Sequence, residues 1–296
     1  MRTLRAATRG SRLARLQTDL VIELLGADAE PVVVDTVGDQ RTDLPIWELG
    51  GRGVFVKEVQ AAVLDGRADF AVHSAKDLPS STPDGLVIAA VPRRADARDA
   101  LVGRRLDALA PGARVGTGSV RRRAQLAWLR PDLTFAGLRG NMETRLSKAG
   151  GFAAIVVAAA ALDRLGRASE VTEVLPPGVM VPQVGQGALA VECRAGDHAT
   201  LAALAAIEHG PSRRAVDAER AWLREVGGGC DLPVGAHATV SAETGEITLL
   251  AMIGTPDGRI VLRDTDSGHD PEELGRRLAL RLLDDAGGST LLADLR

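Results

Sequence analysis

The chain has 296 residues, 45% of them apolar and 25% charged, with a net charge of −3. That is room for two or three domains with proper cores, in the balance of an ordinary soluble globular protein, and it excludes a dedicated nucleic-acid binder, which carries a clear basic excess. No apolar run reaches the length of a membrane span. The two cysteines, Cys193 and Cys230, form no C-x-x-C pair and have no metal-spaced histidines, so neither a disulfide framework nor a zinc site is expected. A reducing, cytoplasmic setting follows.

The opening "MRTLRAATRGSRLARLQ" is Arg-rich and free of acids, as a transit peptide is. It reads better as mature protein: "LRAAT" is a first strand, and a Ser-capped helix over 11–25 carries Leu13, Leu16, Leu20 and Leu24 on one face. Next come "PVVVDTV", a helix over 54–65 and the strand "DFAVHSA". After "VIAAVPRR" the pattern restarts with the strand "ARVGTG", a helix over 119–130, "LTFAGL", a helix over 141–149 and the apolar run "FAAIVVAAAAL". Alternation of this kind implies parallel sheets covered by helices. Two such blocks imply two α/β domains facing a cleft, and the Pro-rich "LPPGVMVPQVGQGA" (175–188) reads as a return crossing between them.

The tail has a different pattern. From Pro211 a helix leads to the loop "EVGGGCDLPVG" (225–235), then come three strands joined by glycine turns and a closing helix over 271–285. That is a small α+β domain on an antiparallel sheet. A cysteine on a glycine-rich loop is available for chemistry in a way a core cysteine is not.

Three strand-to-helix junctions share a design: "ATRGSR" (7–12), "GTGSVRRR" (116–123) and "LRGNMETR" (138–145). Each offers an N-cap, Ser11, Ser119 or Asn141, and each sets arginines before or within the first turn. Cations there oppose the helix dipole by roughly 0.3–1 kcal/mol each. Two readings stand: a solvated arginine face in an Arg-rich chain, or an anionic ligand that reverses the sign. Strand C-termini are where open α/β sheets bind ligands, and Arg grips carboxylates with paired hydrogen bonds, so the second reading implies a ligand with several carboxylates or phosphates. "AVHSAKDLPSS" (71–81) adds Ser74, Lys76 and Asp77 at another strand end, either as a Lys–Asp pair on a turn or as a carboxylate orienting an N–H-bearing substrate. His73 reads as a strand histidine without a role. "GGRG", "GTG" and "GQG" are too short for a nucleotide fingerprint.

Taken together, "ATRGS", "GGRGVFVKEV", "RADFAVHSAKDLP", "GTGSVRRRAQL", "LRGNMETRLSK", "VGQGAL..EC" and "GGGCDLPVGA" resemble the porphobilinogen deaminase (hydroxymethylbilane synthase) family, in order from residue 6 to about 236. The resemblance implies two periplasmic-binding-protein-like α/β domains around a cleft plus a small α+β domain with a three-stranded antiparallel sheet. Its boundaries would be 1–93 plus about 187–206 for the first domain, 96–181 for the second and 211–296 for the third. It implies a transferase of tetrapyrrole (porphyrin, haem) biosynthesis. Four porphobilinogen molecules are deaminated and joined head to tail on a covalent dipyrromethane primer, and water then releases hydroxymethylbilane.

Carried over by motif, Cys230 would hold the dipyrromethane cofactor through a thioether, and Asp77 would be the catalytic carboxylate. Ser74, Lys76, Thr117, Ser119, Arg121 and Arg122 would contact the cofactor. Arg9, Ser11, Arg139, Arg145 and Arg164 would grip the incoming ring's carboxylates, with Gln186 lining the cleft near the hinge. Three departures stand out: Arg52 where the family commonly has Lys, Gly118 in place of a second serine, and Asp231 where Gln is frequent. Monomer is the expected state, with porphobilinogen as the small-molecule partner and no nucleic acid, membrane or metal. A solute-binding receptor also has two α/β lobes closing on an anion, but it would carry an export signal and need no loop thiol. A sensory regulator would bring a DNA-binding segment, and none is legible.

Overall fold

The computed structural model describes residues 3–36, 56–229, 231–293 and 295. The chain divides into two compact units, one of residues 1–95 with 188–213 and one of residues 96–187 with 214–296.

The first unit is built on strands β1 (Leu4–Arg9), β2 (Ala29–Val34), β3 (Phe70–Ser74), β4 (Leu86–Ala90) and β10 (Leu189–Arg194), in the order β2-β1-β3-β10-β4. Strands β1, β2 and β3 run parallel, while β10 enters antiparallel between β3 and β4. Side chains alternate across a strand, and here each face finds its own core. Ala6, Phe70, Val72 and Val191 pack with Val21 of helix α1 (Arg12–Leu25) on one side; Ala7 and Ala71 pack with Val59 and Val63 of helix α2 (Lys57–Leu64) on the other.

The second unit repeats the plan with β5 (Asp99–Gly103), β6 (Arg114–Gly116), β7 (Thr134–Ala136), β8 (Ala154–Ala158) and β9 (Glu173–Leu175), in the order β7-β6-β8-β5-β9. Its parallel part is β7-β6-β8, and β5 is the antiparallel strand. Helices α3 (Val120–Leu129), α4 (Met142–Ser147) and α5 (Ala159–Arg164) follow β6, β7 and β8. The repeated order, with one reversed strand next to the edge, is the binding-protein-like α/β class expected from the sequence. The parallel strands expected from the alternation are present, and each sheet also takes in one antiparallel strand, so both are mixed. The reversed strands, "DALVG" and "LAVECR", are short apolar runs lying outside the regular strand–helix alternation.

The apolar run 152–162 divides into β8 and α5 at Ala158, where no side chain caps the helix. The same unit holds the antiparallel sheet β11 (Val234–Val240), β12 (Ile247–Gly254) and β13 (Val261–Gly268), as expected of the tail. It is covered by α7 (Gly210–Val226) and α8 (Pro271–Leu280), with Trp222, Leu249, Leu274 and Leu278 at its core. Between α5 and β9 lies a 3-10 turn, and after β10 comes helix α6 (His198–Leu204).

Candidate active site

In the first unit the parallel strands β1 and β3 end side by side. Beyond β1, Gly10 leads to Ser11, whose hydroxyl accepts from the Ala14 N–H at 3.3 Å and starts α1 as expected. Beyond β3, residues Ala75–Asp77 form a 3-10 turn that stops at Leu78, an extended residue. Two neighbouring strand ends thereby present Arg9 and Asp77, with Arg9 Nη1 3.8 Å from Asp77 Oδ2 and both side chains partly exposed. Ser74 exchanges hydrogen bonds with the Gln17 amide of α1, at 2.9 and 3.2 Å. Arg9, Gln17, Ser74 and Asp77 line one small cavity. Lys76 is half-buried on the same turn and has a polar partner. Gln17 was not singled out by sequence; its place on the α1 face turned toward β3 is the only signal for it. His73 is a buried strand histidine, as expected, 3.2 Å from Glu192 of β10.

In the second unit the arginine-bearing junctions lie at the ends of β6 and β7, neighbours in the sheet. Ser119 caps α3 by accepting from the Arg122 N–H at 3.4 Å, and Asn141 caps α4 by accepting from the Thr144 N–H at 2.9 Å. All three predicted caps are therefore made. Thr117 is buried, and its hydroxyl accepts from the Ser119 N–H at 3.2 Å, tightening the turn. A Cβ on Gly118 would stand 2.7 Å from the Leu138 carbonyl oxygen, so the two turns approach more closely than a serine at 118 permits.

Of the three arginines at the start of α3, Arg123 is exposed but the other two do not face solvent. Arg121 and Arg122 are 3% and 5% exposed, and both turn inward to Asp99 of β5, which is fully buried. Asp99 Oδ2 lies 2.8 Å from Arg121 Nη1, and Oδ1 accepts from Arg122 Nε at 3.0 Å and Nη2 at 2.8 Å. Burial raises the Asp99 carboxyl and the two guanidiniums lower it; the guanidiniums win, so it is held well below the usual carboxylate range. Gln186 joins the cluster by donating to Asp99 Oδ1 at 2.9 Å and to the Ala97 carbonyl at 2.7 Å. Sequence reasoning missed Asp99, because a lone acid on a short apolar strand gives no hint of partners more than twenty residues away on a helix.

The remaining arginines are placed differently. Arg145 folds back, its Nε donating to the Gly140 carbonyl at 2.9 Å. Arg139 is half-buried and, among the described residues, takes part in no ion pair. Arg164, in the last turn of α5, donates to the Gly187 carbonyl at 2.7 Å, while its buried Nε has no hydrogen-bond acceptor among the described residues. Burial pushes its guanidinium down to about 10, with Asp163 partly offsetting this, so it remains a cation at neutral pH. An orphaned, desolvated guanidinium edge fits a carboxylate ligand.

Cys230 and Arg52 lie outside the described residues. On either side of Cys230, Gly227 ends α7 with φ +68° and Asp231 is exposed before β11. The other cysteine, Cys193, is fully buried in β10 within the core of the first unit. Burial, with Asp197 and Glu192 nearby, pushes its thiol up to about 11 against a smaller effect of Arg194. It is a core residue and not a nucleophile. Among the described residues no acid, histidine or cysteine cluster could hold a metal ion, and no helix is long and apolar enough to cross a membrane.

Residues 4–202 match the "Porphobilinogen deaminase, dipyromethane cofactor binding domain", and residues 214–284 match the "Porphobilinogen deaminase, C-terminal domain". Porphobilinogen deaminase of Acidothermus cellulolyticus is 50% identical over 98% of this chain and 91% of its own. That of Roseiflexus castenholzii is 48% identical over 98% and 99%, and that of Brevibacillus brevis 46% over 99% and 97%. With both of its parts matched and relatives aligned from end to end, the chain belongs to the porphobilinogen deaminase family.

Proposed function

We propose that the chain is a hydroxymethylbilane synthase, a transferase that deaminates porphobilinogen and joins four molecules of it head to tail before water releases the linear tetrapyrrole. The observation that carries the proposal is the Asp77 carboxylate at the end of β3, 3.8 Å from Arg9, in a chain aligned over nearly its whole length with named porphobilinogen deaminases. Porphobilinogen presents an acetate, a propionate, a pyrrole N–H and an aminomethyl group. Asp77 accepts the pyrrole N–H and stabilises positive charge developing on the ring as the methylene C–N bond breaks and ammonia leaves. Arg9 alongside takes a substrate carboxylate, and Ser11 keeps its turn in place. Arg139, Arg145 and Arg164 offer further carboxylate grips on the second unit.

A dipyrromethane group fits the residues present. Among the described residues, the Arg164 Nε has no acceptor and Arg139 takes part in no ion pair, so both offer positive charge to a ligand. Cys230 would carry the thioether, as the family resemblance implies, and the burial of Cys193 in the core is in keeping with that. When bound, dipyrromethane supplies the pyrrole end at which chain growth starts. Ser74 and Lys76 on the first unit, and Thr117, Ser119, Arg121 and Arg122 on the second, would hold its carboxylates. Gln186 orients Arg122 through Asp99. A cytoplasmic monomer, acting without nucleic acid, membrane or metal, completes the proposal.

The test is an intact mass. Protein purified from cells that make porphobilinogen should exceed the sequence mass by two coupled pyrrole units, and Cys230→Ser should abolish the excess. A mass equal to the bare chain, with no consumption of porphobilinogen, would overturn the proposal in favour of a binding protein.

A further inference from the structure

The cluster around Asp99 joins four parts of the second unit at one carboxylate. Strand β5 supplies Asp99, the first turn of α3 supplies Arg121 and Arg122, and β8 supplies the Val156 carbonyl, which accepts from Arg122 Nη1 at 3.0 Å. The segment before β10 supplies Gln186, and its Val181 carbonyl accepts from Arg121 Nη1. Every member is buried. Gln186 is flanked by Gly185, whose N–H donates to the buried Glu219 of α7 at 2.7 Å, and by Gly187, whose carbonyl accepts from Arg164. A buried ion cluster is a poor stabiliser compared with apolar side chains of the same volume. Apolar side chains, however, cannot fix two guanidinium planes and an amide in one orientation, nor set the charge they present.

Resting on the function proposed above, we infer that Asp99 is a positioning residue for the reaction. It holds Arg121, Arg122 and Gln186 in a single arrangement and offsets one of the two cations that an anionic ligand meets at the start of α3. Asn at 99 keeps the shape but places an N–H donor among donors and leaves both cations uncompensated. Glu keeps the charge but moves the carboxylate by one methylene.

Asp99→Asn and Asp99→Glu are compared with the wild-type holoprotein by intact mass, circular dichroism, thermal melting and steady-state kinetics well below each melting transition. Expressed per folded, cofactor-loaded molecule, KM for porphobilinogen rises about tenfold in Asp99→Asn with a smaller change in kcat. The fraction of molecules carrying the mass excess falls as well. Asp99→Glu recovers the loaded fraction but not the KM. A merely structural role would lower the melting temperature and leave both quantities within twofold of wild type once the protein is folded, and that result overturns the inference. If Asp99→Asn does not fold, Asp99→Glu decides alone: a wild-type KM overturns the inference, and a raised KM with native melting supports it. Wild-type protein lacking the mass excess would instead sink the proposed function itself.

Discussion

Arg9 and Asp77 sit at the ends of two adjacent parallel strands, 3.8 Å apart and both partly exposed, so the acid proposed for the reaction is set beside a cation without being sealed in a buried pair. A half-exposed ion pair contributes under about 1 kcal/mol to stability. Asp77→Asn is therefore expected to melt as wild type while turnover falls roughly 10²–10³-fold. Steady-state kinetics beside a melting curve check this, and near-normal turnover would discredit the role given to Asp77.

Arg164 presents the opposite trade. Its depressed guanidinium stays charged below about pH 10, so at neutral pH its desolvation is a standing cost to the fold. The sign follows from proton uptake: between about 10 and the ordinary arginine value the unfolded chain binds more protons, so the cost is relieved only as pH rises through that interval. Arg164→Met loses the bond to the Gly187 carbonyl, worth about 1 kcal/mol, but removes a larger desolvation penalty. The expected outcome is an equal or higher melting temperature together with a KM for porphobilinogen raised several-fold. A clear loss of stability with unchanged KM would show Arg164 to be structural.

The two thiols should differ sharply. With Cys193 in the core and its thiol pushed up to about 11, iodoacetamide at pH 8 should leave it unmodified in the folded chain. Protein carrying the thioether should take no adduct, and protein without it a single adduct at Cys230. Peptide mapping after alkylation reads both, and modification of Cys193 in native protein would contradict its burial.

Gly118 tests how tightly the arginine turns are set. Restoring the family's serine there would press Cβ against the Leu138 carbonyl, and a backbone atom cannot swing aside. Gly118→Ser is expected to cost about 1–3 kcal/mol and to lower kcat/KM by spreading the two turns. Denaturant titration and kinetics measure the pair of effects. A stable, fully active variant would show that the turns have slack.

Local signals in the sequence were reliable where the physics is local. Ser11, Ser119 and Asn141 each cap the helix they precede, because an N-cap is decided within four residues. Signals failed where partners come from afar. Asp99 compensates Arg121 and Arg122 across more than twenty residues, so arginines that seemed to call for a ligand are partly satisfied from inside. Strand β10 lies between β3 and β4, more than a hundred residues distant in sequence, and it ran together with the glycine-rich crossing before it. The division of the run 152–162 at Ala158 had no cap, glycine or proline to announce it.

That inserted strand has a consequence for the nascent chain. Residues 1–95 supply β3 and β4 but not the strand that pairs with both, whereas every strand of the second α/β sheet lies within residues 99–175. Translation thus delivers an unfinished first sheet and a complete second one before Leu189 leaves the ribosome. Pulsed hydrogen exchange during refolding should record amides of β6 and β8 protected ahead of those of β3 and β4, so that the half of the protein written first is the half that closes last.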